Sequence, residues 1–193
     1  MKVNDILNPD LEEVLKQVND VRTLFTESKN ELQRAIEDFI KEKQEVDFAL
    51  AGGLALGAHG IIRGTQDIDL ALISDADVKK IKIPTQFKKH RGHALEHKPT
   101  GVEIELVTPE FVDQTKYKSV FRRAITTASE KSIGSAKVKV VNPSALVALK
   151  LLRFSRQDQA DIESLLKKHK INVSSFGLNK DHLEKLKSIQ DDL

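Results

Sequence analysis

Four acidic residues alternate with apolar residues in two short segments of the chain. Asp67 and Asp69 lie in QDIDLALI, and Glu103 and Glu105 lie in VEIELV. Because alternate residues of a strand project to the same face, each pair of carboxylates shares one face of its strand. Oxygen-only ligands favour a hard cation, Mg²⁺ before Ca²⁺. If the two strands are neighbours, one glutamate can join the aspartates in a cluster that holds two metal ions.

A Gly-Gly pair, Gly52-Gly53, follows the apolar run at residues 47–51. Glycine after a strand lets the backbone approach a ligand closely and leaves amide N–H groups free for anionic oxygens. The next residues, LALGAHGII, are small and apolar enough for a short helix, whose N-terminus favours a phosphate. We therefore expect a phosphate group between this loop and the metal ions.

Helical periodicity flanks the acidic strands on both sides. Upstream, it predicts helices over residues 8–25 and about 28–43, the first opened by a capping Asn and a Pro. Downstream, an Asn-Pro-Ser sequence opens an amphipathic helix over about 143–154, and two further helices are predicted near 159–169 and 179–191. These helices must position whatever site the strands carry.

Short apolar runs between the helices predict strands, and glycines and prolines separate them. The turn Lys98-Pro99-Thr100-Gly101 predicts a hairpin. The predicted strands are residues 47–51, 68–73, 94–97, 102–107 and 138–141.

The order of these elements predicts an α/β (α+β) fold with a small mixed β-sheet, an N-terminal helical pair and a C-terminal helical bundle. We divide the chain into an N-terminal helical element at residues 1–45, an α/β core at 46–142 and a C-terminal helical region at 143–193. At this length the three parts are expected to form one compact unit.

Composition narrows the function classes. The 193 residues include no cysteine, which excludes disulfides, thiolate metal sites and thiol redox chemistry. Residues 1–50 hold 7 Lys/Arg against 12 Asp/Glu, whereas the rest of the chain holds 24 against 17. This basic excess favours a phosphate-bearing partner or a solvated lysine-rich surface. We expect a cytoplasmic protein without a membrane partner, because no signal-peptide pattern and no membrane-length apolar run is present.

The motifs in this order resemble the active-site signature of the polymerase-beta-type nucleotidyltransferase superfamily. The resemblance rests on a strand ending in Gly-Gly, thirteen intervening residues, Asp-Ile-Asp-Leu and a later acidic strand. The string AGGLALGAHGIIRGTQDIDL is similar to the branch of AbiEii-like (abortive-infection) toxin nucleotidyltransferases. VNPSALVALKLLRFSRQDQADIESLL resembles the last motif of that branch, and the whole resemblance covers roughly residues 46 to 166.

The resemblance implies a role for each matching residue. Asp67, Asp69 and Glu105 would hold two Mg²⁺ ions, with Glu103 as the alternative third acid. The family usually has Asp at that third position, and Glu is longer by one methylene. For the acid of the last motif, Asp161 is the first choice and Asp158 the second. The implied nucleotide-binding residues are Gly52, Gly53, Arg63, Thr65, Lys150 and Asp161. The implied catalytic residues are Asp67, Asp69, Glu105 and Lys150. An alternative for Lys150 is the polar face of a buried helix.

The implied reaction moves an NMP from an NTP to an acceptor hydroxyl. The acceptor would be RNA, and tRNA in particular, with the chain as the toxin of a toxin–antitoxin system and an antitoxin protein as partner. A small-molecule acceptor of the aminoglycoside type is an alternative. A further alternative is a catalytically inert module of the same fold that binds a nucleotide or a partner protein.

Overall fold

The structure of this protein is a computed structural model that describes residues 31–111 and 114–193. The predicted first helix, residues 8–25, lies outside the described residues. The described part of the predicted second helix is helical over residues 31–41, and we name it α1.

Seven strands form one mixed sheet in the described part of the chain. They are β1 (Ala49–Leu50), β2 (Asp67–Ala71), β3 (Phe87–Lys89), β4 (Ala94–His97), β5 (Glu103–Val107), β6 (Ser129–Ile133) and β7 (Ala136–Val140). Their order across the sheet is β3-β4-β5-β2-β1-β7-β6. β2 pairs with β5 in parallel and with β1 antiparallel, while β1 pairs with β7 in parallel. The two acid-bearing strands are therefore neighbours inside the sheet.

Along the chain, the remaining helices lie between the strands or after the last strand. They are α2 (Gly52–Ala58), α3 (Asp75–Val78), α4 (Lys118–Thr126), α5 (Pro143–Arg153), α6 (Arg156–Lys168) and α7 (Lys180–Asp191), with 3₁₀ turns at Thr115–Tyr117 and Ser174–Phe176. Side-chain caps explain where the last three helices begin. Asn142 accepts from the Ala145 N–H at 2.9 Å, and Asn179 accepts from the His182 N–H at 3.0 Å. Ser155 begins α6 through a capping box with Asp158.

The predicted fold class is confirmed: the protein has a mixed α/β fold with helices packed on a mixed sheet. The hairpin at 98–101 joins antiparallel β4 and β5 as predicted. The sequence did not predict β3, β6, α3 or α4. β6 reads SEKSI and lacks apolar alternation, but it pairs along its whole length with β7, whose alternate residues are buried. The division into residues 1–45, 46–142 and 143–193 stays a prediction.

Helix α1 packs on the sheet through an aromatic cluster. Phe39 is fully buried and meets Phe48 and Phe87 edge to face, with ring centroids 5.7 and 5.8 Å apart. Next to this cluster, the buried His97 lies with Nε2 3.1 Å from Asp38 Oδ2, and its other ring nitrogen lies 2.8 Å from Thr100. An apolar contact and a buried polar contact thus hold α1 against the sheet.

Across residues 31–111 and 114–193, no helix combines the length and the apolar character needed to cross a bilayer.

Replacing Phe39 by Ala is expected to lower the free energy of unfolding by about 3–5 kcal/mol, because a fully buried ring is removed from between two others. The matched control on the same helix is Arg34→Ala, an exposed position expected to change stability by less than about 0.5 kcal/mol. Urea unfolding followed by circular dichroism measures both variants. Equal stability of the two variants would contradict the packing of α1 described above.

Candidate active site

All four acids of the two predicted strands lie on one face of the sheet. In the parallel register of β2 and β5, Asp67 is opposite Glu103 and Asp69 is opposite Glu105. Ile68, between the two aspartates, is fully buried on the other face. The sequence predicted that these acids would lie together if their two strands were neighbours. The structure shows that the strands are neighbours.

The four carboxylates have different partners. Glu103 lies 3.2 Å from His90 Nε2 and 3.3 Å from Arg91 Nη2. Asp67 accepts a hydrogen bond of 2.8 Å from the Thr65 hydroxyl. Glu105 makes no ion pair with any described residue and is half-buried. Glu105 is therefore the glutamate whose charge is left available beside Asp69.

Asp69 has a raised pKa. Burial, as the largest cause, and the charges of Asp67 and Glu105 together raise the pKa of Asp69 from 3.8 to about 6, against an opposing effect of Lys150 and Arg153. Like charges that are held together disfavour one another's ionised form. The acid face thus carries negative charge that its protein surroundings balance only in part.

Gly52 lies directly against the Asp69 carboxylate. Its φ is +57°, and a Cβ built on it would lie 1.6 Å from Asp69 Oδ2. The adjacent Ala51 N–H donates to the Asp69 carbonyl at 2.9 Å, which continues the pairing of β1 with β2. Only glycine fits this position, because it tolerates positive φ and has no side chain to displace the carboxylate.

Gly53 lies against the residues that precede β2. A Cβ at Gly53 would lie 2.6 Å from both Arg63 Nη1 and Thr65 Oγ1. No side chain caps the N-terminus of α2, where Ala51 occupies the capping position. The first-turn N–H groups of α2 are therefore not taken by a capping side chain, and Arg63 and Thr65 pack against Gly53, the second residue of this turn.

Lys150, on α5, lines a cleft next to the acid face, and Asp161, on α6, contacts Lys150. The Lys150 ammonium lies 3.2 Å from Asp158 Oδ1 and 2.5 Å from Asp161 Oδ2 in a buried cluster. Arg63 Nε approaches Asp161 at 3.5 Å. Lys150 therefore sits beside the acid face, but its charge is neutralised by two aspartates.

This cleft has a volume of about 100 Å³, and one of its walls carries Asp69 while the other carries Lys150 and Arg153. Its polar lining comprises Asp69, Gln114, Lys150, Arg153 and Asp158, and the rest of its lining includes Gly52, Ala71, Val107, Phe121, Leu146 and Leu149. Arg153 was not selected from the sequence. Its spacing could have indicated a place beside Lys150, because it lies three residues later and shares that face of the helix.

The described residues include no group of three or more His, Asp or Glu side chains already arranged around a metal position. Asp67, Asp69 and Glu105 nevertheless fit a hard divalent cation, because their donors are carboxylate oxygens. They also share one face of the sheet, and the negative charge around Asp69 is balanced only in part. The backbone register places Asp67 opposite Glu103 and Asp69 opposite Glu105.

Comparison with known proteins supports the fold. No protein-family model matches the sequence, and no curated protein matches it. Among solved structures, the chain is similar to an antigenic nucleotidyltransferase-like protein from Paracoccidioides brasiliensis, with a TM-score of 0.57 and 21% identity over 86% of this chain and 88% of that chain. The protein therefore has a nucleotidyltransferase-like fold. The more specific AbiEii-like branch stays a prediction.

Replacing Gly52 by Ala is expected to lower the free energy of unfolding by about 2 kcal/mol or more, since the new Cβ collides with Asp69 in a left-handed backbone conformation. Gly57→Ala is the matched control in the same helix, because a Cβ there meets no atom within 4 Å. That control is expected to be neutral or stabilising by up to about 1 kcal/mol. Chemical unfolding of both variants checks the difference, and equal effects would contradict the close approach.

The raised pKa of Asp69 predicts a pH-dependent loss of stability. Between its ordinary pKa of 3.8 and about 6, the folded protein binds this proton more tightly than the unfolded chain, so the free energy of unfolding falls as the pH rises through this window. Asp69→Asn removes the loss and is expected to be more stable than wild type at neutral pH, by up to about 3 kcal/mol. Urea unfolding in chelator at pH values from about 4 to 7 measures it.

The control for this pH series is Asp191→Asn, an exposed aspartate near the end of α7. Its stability profile is expected to run parallel to that of the wild type. A parallel profile for Asp69→Asn as well would show that the Asp69 pKa is not raised.

Proposed function

We propose that this chain is a nucleotidyltransferase that moves an NMP from an NTP to an acceptor hydroxyl. The single observation that carries the proposal is the contact of Gly52 with Asp69, whose ladder partner is Glu105. It joins a glycine turn suited to phosphate with a row of carboxylates suited to a cation. The nucleotidyltransferase-like fold supports the same reaction class.

Asp67, Asp69 and Glu105 would hold two Mg²⁺ ions in this proposal. Glu103 is the weaker choice for the third acid, because His90 and Arg91 already pair with it. Bound Mg²⁺ supplies charge neutralisation at the phosphates and lowers the pKa of a coordinated hydroxyl. The protein supplies acids whose mutual repulsion a cation relieves.

The nucleotide would occupy the cleft between α2 and α5. The first-turn N–H groups at Gly52 and Gly53 are suited to phosphate oxygens, and Arg63 and Thr65 support that turn by their contact with Gly53. Lys150 and Asp161 would belong to the nucleotide side, since Lys150 lines the cleft beside Asp69 and Asp161 is bonded to it.

The reaction requires positioning more than covalent catalysis. The acceptor oxygen forms a bond to the α-phosphorus in line with the bond to pyrophosphate, which breaks, and pyrophosphate leaves. Holding the acceptor and the triphosphate in this arrangement and stabilising the phosphate charge provide the acceleration.

For the acceptor, we propose an RNA hydroxyl, that of tRNA in particular, in a toxin with an antitoxin partner. The support is the basic excess of residues 51–193, which hold 24 Lys/Arg against 17 Asp/Glu. A small molecule of the aminoglycoside type is the alternative acceptor. Incubating the protein with each NTP and either tRNA or an aminoglycoside panel distinguishes them by which acceptor gains the mass of an NMP.

A catalytically inert nucleotide- or partner-binding module is the second candidate function. Two observations favour it: Glu occupies the third acidic position, and the described acids are not converged around a metal position. Calorimetry tests this candidate. NTP binding that depends on Mg²⁺, without transfer to any acceptor, would favour the module over the enzyme.

In the enzyme, Asp69→Asn is expected to abolish label transfer from α-labelled NTP, and Glu105→Gln to reduce it at least about 100-fold, since each removes a proposed metal ligand. Glu103→Gln is the matched control on the same strand, and it is expected to keep most of the activity because Glu103 is already paired. Initial rates with total cellular RNA as acceptor measure all three variants.

Full activity in Asp69→Asn would overturn the proposed site. If Glu103→Gln loses activity and Glu105→Gln retains it, Glu103 and not Glu105 is the third metal ligand.

A further inference from the structure

Two cations of α5 line the cleft but differ sharply in exposure. The Lys150 side chain is 8% exposed, whereas the Arg153 side chain is 68% exposed. Lys150 gives two of its three ammonium donors to Asp158 and Asp161. Lys150 is therefore largely committed to neutralising buried aspartates.

Arg153 keeps donors for a ligand. Its Nε and Nη2 donate to the two oxygens of Asp158 at 2.8 and 2.9 Å. A guanidinium carries five N–H groups, so this bidentate pair leaves about three of them unused. Arg153 lines the same cleft as Gly52 and Asp69. A guanidinium whose free edge borders a cleft is suited to bidentate contact with a phosphate.

The turn between α5 and α6 fixes the orientation of Arg153. Phe154 in this turn has φ +54°, and it is the only non-glycine residue with positive φ among residues 31–111 and 114–193. Ser155 then donates to Asp158 through its N–H at 3.1 Å and its hydroxyl at 2.7 Å. A left-handed conformation is strained for a non-glycine residue and persists only where its surroundings enforce it. Here the surroundings hold Asp158 as the anchor of Arg153.

Charge connects Arg153 to the acid face as well. The pKa of Arg153 is raised mainly by its hydrogen bond to Asp158 and also by the charges of Asp69 and Glu105. Arg153 thus lies within the electrostatic reach of both acids. A polyanion bound with metal ions between them would be neutralised from both sides.

We propose that Arg153 contacts the pyrophosphate portion of the nucleoside triphosphate, and that Lys150 serves instead to neutralise Asp158 and Asp161. The inference rests on the proposed function and assigns to Arg153 a phosphate contact that the family resemblance implies for Lys150. Its chemical basis is a guanidinium that is anchored on one edge and free on the other.

Isothermal titration calorimetry in Mg²⁺ buffer, with each of the four NTPs and the matching NMPs, tests the contact. Arg153→Ala is expected to weaken NTP binding about 10- to 100-fold, the loss typical of a charge-assisted hydrogen-bond pair, and to change NMP binding less than about threefold. Arg156→Ala is the matched control, because Arg156 is an exposed arginine three residues later. It is expected to leave both affinities unchanged.

Arg153→Gln decides the result if Arg153→Ala fails to fold, since glutamine can still donate to Asp158 but carries no charge. The same selective loss of NTP affinity is expected. If the wild type binds NTP and both folded variants keep its affinity, the role of Arg153 is wrong and the proposed function stands. An equal loss for NTP and NMP also overturns the inference. If the wild type binds no NTP, the proposed function is wrong, and the role of Arg153 is wrong with it.

Discussion

The candidate site depends on one steric constraint, the contact of Gly52 with the Asp69 carboxylate. Any side chain at Gly52 would overlap this carboxylate, so the turn from β1 into α2 can close over β2 only with glycine there. The β2–β5 register then adds Glu105 next to Asp69. A phosphate-binding turn and a cation-binding face are therefore products of the same packing.

A chain of polar contacts connects this turn to the C-terminal helices. Gly53 packs on Arg63, Arg63 approaches Asp161, and Asp161 and Asp158 share Lys150. Breaking a buried ion pair leaves an unpaired charge and is costly. The position of α6 is therefore coupled to the position of the glycine turn, although the two are far apart in sequence.

Charge is distributed unevenly across the cleft. One wall carries carboxylates that raise the pKa of Asp69, and the other carries Lys150 and Arg153, which lower it. Asp158 and Asp161 already neutralise Lys150, which is 8% exposed, whereas Arg153 is 68% exposed. This asymmetry fits a ligand that brings both cations and phosphates, and it makes charge balance the central property of the proposed site.

Much of the fold and half of the site could be predicted from the sequence alone. Alternation fixed the common face of Asp67 and Asp69, and caps such as Asn142 fixed the helix starts, because both effects are local. Strand β6 was missed because a polar strand gains its order from its neighbour. The β2–β5 register, the burial of Lys150 between two aspartates and the exposure of Arg153 were decided only by the tertiary structure, because each depends on residues that packing brings together.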